Sequence, residues 1–166
     1  FFGTPGANYN PKDYVWVGAL GTGKQRNILF THKQAGFDSL EDLRSREVSL
    51  GGRTVGHRAY LYGRLIAEIM GFKKVRWILG YSSPELFVAI ERGEVDGRVN
   101  DSATIFRNRP DWFNKALIVP HVAMTIPENL PPTDHPLLAK VPSIMQVART
   151  DLHRDIIEKL NTTDKR

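Results

Sequence analysis

The densest chemistry in this sequence sits in one short segment, Gly51-Gly52-Arg53-Thr54-Val55-Gly56-His57, between an apolar run and the strongest helical repeat. Glycines let the backbone turn tightly and approach a ligand, and the first amides of a helix have no intrahelical acceptor. The helix dipole adds partial positive charge there, and Arg53, His57 and Arg58 lie within one turn. A small anion fits such a place. So does a plain strand-to-helix turn capped by Thr54 or water, and the segment alone does not separate the two readings. Two further turns of the same kind follow, Tyr81-Ser82-Ser83 and Asn100-Asp101-Ser102. Each by itself reads as a helix cap. Three such loops at the carboxyl edge of one open sheet would line a single crevice, and together they favour a polar binding site.

Other chemistries find little support. The chain has no cysteine, which excludes disulfides, thiolate catalysis and cysteine-ligated metals. Histidines 32, 57, 121, 135 and 153 show no metal-ligand spacing, and no serine stands in a G-x-S-x-G elbow. His57 and Asp101 could meet in space, but no activated nucleophile accompanies them. Gly18-Ala-Leu-Gly-Thr-Gly23-Lys24 copies the spacing of a phosphate-binding loop. Gln25 stands where that loop needs Ser or Thr, and the next residues read as a strand, so the nucleotide reading fails. No cofactor is expected.

The net charge of +5 and pI near 9.6 attract anions in general. Lys and Arg are scattered, without a block or interleaved aromatics, so no nucleic-acid partner is expected. No apolar run approaches the ~20 residues that cross a bilayer.

These loops need a scaffold, and the pattern supplies one. Residues 14–20, 27–32, 48–50, 75–79, 95–99 and 116–120 are apolar and β-branched runs that read as strands. Ser39 precedes a short helix at 40–45. Leu61, Leu65, Ile66 and Ile69 mark a helix over 56–70, with Gly71 as its cap. Ser83-Pro84-Glu85 opens another that stops at Gly93. A short helix and a break at Pro110 follow, then a proline-rich stretch with short helical pieces, and a last helix over 151–160. The alternation from 48 to 109 predicts an α/β protein with parallel strands and helices on the sheet faces.

Three stretches carry a resemblance: GFDSLEDLRSREVSLGG, the run from VGHRAYLYGRLIAEIM through IERGEVDGRVNDSATIFRNRPDW, and LPPTDHPLLAKVPSIMQVA. Together, over about residues 8–160, they resemble the receptors of tripartite tricarboxylate transporters, the Bug-type solute-binding proteins. The pattern is specific only in combination.

The resemblance implies a periplasmic-binding-protein-like (type II), two-lobed fold that closes on a carboxylate outside the cytoplasm, in the periplasm, and delivers it to membrane permease subunits. It implies no enzymatic activity. Residues 1–32 would belong to lobe one, 33–117 would form lobe two with a parallel-rich sheet, and 118–166 would return to lobe one. The family has more chain ahead of this start, so lobe two is expected whole and lobe one partial. Ligand-binding positions carried over are Gly52, Arg53, Thr54, Val55, Gly56 and His57, then Tyr81, Ser82 and Ser83, then Asn100, Asp101 and Ser102. GTPGANYNP resembles the first-lobe loop and adds Thr4, Gly6 and Asn8. Arg53 and His57 stand where many relatives have small polar residues, which implies a more acidic ligand or an altered pocket. The competing readings are a small α/β enzyme using His57 and Asp101 on an anion, an effector-binding regulatory lobe, and a partial chain without ligand affinity.

Overall fold

The computed structural model describes Val15, residues 26–124 and residues 135–163. The strand expected at 14–20 falls outside these residues except for Val15. The glycine loop at 18–24 and the candidates Thr4, Gly6 and Asn8 fall outside them altogether.

Five strands form one sheet: β1 (Asn27–His32), β2 (Val48–Gly51), β3 (Val75–Ile78), β4 (Gly97–Asp101) and β5 (Ile118–Ala123), in the order β3-β2-β4-β1-β5. The helices are α1 (Leu40–Ser45), α2 (Arg58–Met70), α3 (Ser83–Glu91), α4 (Ser102–Asn108), α5 (Pro110–Asn114), α6 (Pro136–Ala139), α7 (Ile144–Val147) and α8 (Asp151–Thr163). The alternating segment is parallel as its pattern predicts: β2 pairs with β3 and with β4 in that sense. The flanking strands join the other way. β1 lies antiparallel to both β4 and β5, so the whole sheet is mixed. β1 and β5 are therefore hydrogen-bonded neighbours within it.

Side-chain alternation splits the core in two. Leu29, Leu50, Val99 and Val122 face one layer with Ile66, Ile69 and Met70 of α2. Ile28 and Phe30 face the other, with Phe87 and Ile90 of α3, Ile105 of α4 and Trp112 of α5. Burying both faces is what near-continuous apolar strands are for. Gly63, rather than Leu61, sits on the inner face of α2, where a Cβ would come within 2.8 Å of the Trp77 ring; Leu61 is 52% exposed.

Local chemistry sets the element ends. Gly71 takes φ +70° and closes α2 with bonds to the Ala67 and Glu68 carbonyls. β5 begins two residues later than its apolar run because Ala116 adopts φ +50°, outside strand geometry. β4 begins at Gly97 because Asp96 is engaged with β2. Its carboxylate accepts from Ser49 N and Oγ at 2.7 and 2.8 Å, and its amide donates to the Ser49 carbonyl at 3.0 Å.

Candidate functional site

The first two candidate loops follow β2 and β3, whereas Asn100 and Asp101 are the last residues of β4 and Ser102 opens α4 without an intervening loop; all three segments stand at the carboxyl ends of adjacent parallel strands. The first two are tied together: Gly52 N donates to Ile78 O and Gly80 N to Arg53 O, both at 2.9 Å. Gly52 is buried against Leu79, where a Cβ would come to 2.9 Å, whereas Arg53, Thr54, Val55 and Gly56 are exposed.

Much of the polar capacity in these loops is engaged in capping. His57 is the N-cap of α2; its Nδ1 accepts from Ala59 N at 3.2 Å, and its carbonyl accepts from Tyr60 N and Leu61 N. The amides expected to face an anion at the start of α2 are thus largely satisfied within the helix. Ser82 forms a capping box with Glu85, whose carboxylate accepts from Ser82 N at 2.7 Å. Asp101 caps α4 by accepting from Thr104 N at 3.0 Å, and Ser102 N donates to the Arg26 carbonyl. Ser83 is the first residue of α3. The Tyr81 hydroxyl donates to Glu94 at 3.1 Å, and that bond is the main reason its pKa is raised.

Positive charge gathers at this edge. Burial lowers the His57 pKa, and Arg53, Arg98 and Arg58 push it further the same way, so the ring is neutral at physiological pH. Arg98 was not among the residues expected from sequence. It lies on β4 at 1% exposure, its guanidinium 5.6 Å from the Phe87 ring centre. Burial, reinforced by the charge of Arg53, lowers its pKa to about 10, which leaves it charged. Nη1 has no hydrogen-bond partner among the described residues, and neither has Nδ2 of Asn100, two residues along the same strand. The sequence carried a usable signal: a strand covered on both faces reads apolar throughout, and Arg98 interrupts that rule.

A separate hollow of about 750 Å³ runs along the outer flank of α3, past Leu79, Tyr81, Val88, Arg92 and Glu94. It takes in Tyr81 but none of the other candidates. Tyr81 thus lines this hollow, whereas residues 52–57 do not. Among the described residues no group of three or more His, Asp or Glu is placed to hold a metal ion. No helix among them is long and apolar enough to cross a membrane.

Neither protein-family models nor curated proteins match the chain. Solved structures do. Rpa4515 of R. palustris with adipate aligns at TM-score 0.55 and 17% identity, covering 84% of this chain and 50% of its own. A TctC solute-binding protein from Polaromonas gives 0.55 and 12%, covering 83% and 52%. MatC from Rhodopseudomonas palustris with bound malate gives 0.55 and 14%, covering 83% and 50%. The fold is periplasmic-binding-protein-like. The chain spans about half the length of these neighbours, so it supplies part of such an architecture, and at these identities the likeness speaks for fold alone.

Proposed function

We propose that this chain is the ligand-holding part of an extracytoplasmic receptor that captures a small organic anion for a tripartite tricarboxylate-type transporter. The observation that carries the reading is the positive carboxyl edge, with Arg53 exposed and Arg98 buried beneath it, on a fold whose neighbours include structures solved with adipate and malate. A periplasmic location and membrane permease partners follow from that reading, and so does binding without turnover. His57 Nδ1 and Asp101 Oδ1, the acid–base pair of the enzymatic alternative, are both engaged as helix caps.

In this reading the ligand bridges two lobes and favours the closed form through contacts made only there. β1 and β5, paired antiparallel, act as the crossover strands that absorb the motion. Charge-assisted hydrogen bonds contribute roughly 1.5–3 kcal/mol each. Two or three, with burial of the ligand stem, reach the ~8 kcal/mol of micromolar capture.

A thermal-shift screen of the full-length protein against small organic acids tests the proposal, because a ligand that binds only the native state raises its melting temperature. At least one carboxylate should do so. The Arg53→Ala variant should bind that acid more weakly by calorimetry while melting, ligand-free, where the wild type does. If no acid in a broad panel stabilises the protein, the receptor reading is wrong.

A further inference from the structure

We infer that Arg98 and Asn100 form a buried anion-receiving subsite on β4, and that its guest is a carboxylate group of the solute. The inference rests on the receptor reading for the source of the guest. The donors themselves are there regardless of it.

Arg98 and Asn100 alternate with Val99, which packs into the α2 layer, so both face the α3 side of the sheet, about 7 Å apart along the strand. Arg98 Nη1 and Asn100 Nδ2 are each sealed from solvent and without a partner among the described residues. The orientation of Asn100 is fixed, because its Oδ1 accepts from Asp101 N at 2.9 Å, a bond the amide nitrogen could not make. Its donor end is the one left over.

No described carboxylate answers the buried charge. Of the two acids of the neighbouring helix, Glu85 accepts from Ser82 N in its capping box, and Glu91 is held by Arg109 at 2.7 Å and by the Trp112 indole at 3.2 Å. Asp101 caps α4, and Asp96 serves Ser49. The contacts Arg98 does make are a long bond from Nε to the Val99 carbonyl (3.4 Å) and the Phe87 ring, neither of which neutralises it. A guanidinium cannot shed its charge as a buried lysine can, and an uncompensated ion in the core is strongly unfavourable. An apolar residue would serve the fold better at this position. A counter-charge that arrives from outside gives the arginine a purpose.

Donor type restricts that guest. Guanidinium and amide nitrogen offer only N–H groups, so an amine or any other cation would set donor against donor. An ionised carboxylate is acceptor-only, planar and able to take two parallel bonds from arginine. The charge of Arg53 stands within electrostatic reach of Arg98, which favours a solute carrying a second negative group over one with a single carboxylate.

The experiment is a set of melting curves of the full-length protein with acetate, malate, adipate or inorganic phosphate, run on the wild type, Arg98→Met and Asn100→Asp. Met keeps the length and apolar stem of arginine without its charge. Asp supplies Arg98 with an internal counter-ion and keeps an oxygen for Asp101 N. Both variants should melt, ligand-free, at or above the wild-type temperature. Both should lose the rise that a dicarboxylate gives the wild type, with affinity down roughly ten- to a hundredfold. A merely structural arginine would instead give variants that melt lower and keep their ligand response.

If the acids stabilise all three proteins alike, the subsite is wrong and the receptor stands. If phosphate alone stabilises the wild type and neither variant, the anion site stands while its carboxylate guest and the receptor reading fall. If nothing stabilises any of them, both ideas are lost.

Discussion

His121 lies at 4% exposure, its Nε2 2.8 Å from the Thr31 hydroxyl, which in turn reaches the Phe37 carbonyl at 3.4 Å. Desolvation outweighs the distant charge of Asp42 and takes the ring's pKa from 6.5 to about 4, so the native state holds it neutral. The unfolded chain takes up the proton first as pH falls. Stability is therefore complete above pH 6.5 and is lost progressively down to about pH 4, by on the order of 3 kcal/mol at most. His32, lowered by burial against the opposing pull of Glu91, acts in the same direction. Urea midpoints should thus drop between about pH 7.5 and about pH 5, and His121→Gln, which cannot ionise, should flatten that drop. Parallel pH profiles for the two proteins would show that His121 is not the group responsible. This role was not visible in the sequence, where His121 was one of five histidines without metal spacing. Burial decides its chemistry, and burial depends on a pairing between strands some 90 residues apart.

Elements were far more legible than residues. The 3.6-residue apolar repeat located α2, and the Ser-Pro-Glu opening located α3, because caps and periodicity are local. The antiparallel entry of β1 and β5 was not legible, since nothing within either strand records its partner. One glycine shows how tightly that pairing is built. Gly97 sits opposite Thr31, where an added Cβ would overlap the Phe30 carbonyl oxygen and lie 2.8 Å from Thr31 Cα. The obstacle is backbone, so no rotamer can relieve it. Gly97→Ala should cost about 3 kcal/mol or more in urea denaturation, and a loss below about 1 kcal/mol would mean that β1 and β4 part easily. Ser82→Ala offers a contrast within the candidate site. Its hydroxyl caps α3, so about 1 kcal/mol of stability should go with it. If capping is its whole task, acid affinity should not change. A matching loss of affinity would return Ser82 to the ligand.

At the scale of the molecule, the question is how the two arginines divide the work. The chain carries +5 overall, and an anion approaching the carboxyl edge meets Arg53 in solvent before Arg98 under the sheet surface. Exposed charges act through water and are screened beyond about 10 Å at 0.1 M salt; buried ones are screened far less. A rim charge governs encounter and its salt dependence, and a buried partner governs escape. Stopped-flow binding of a dicarboxylate to the full-length protein should show an association rate that falls as salt rises, with a nearly constant dissociation rate. Arg53→Ala should slow association and reduce its salt dependence. Arg98→Met should leave association and its salt dependence close to wild type and speed dissociation roughly ten- to a hundredfold. The two effects should combine independently in the double variant, since in the proposed receptor one arginine would act before the ligand is enclosed and the other after. If Arg98→Met instead slows association and Arg53→Ala speeds release, the buried guanidinium is met first, and the order of capture drawn from their burial is reversed.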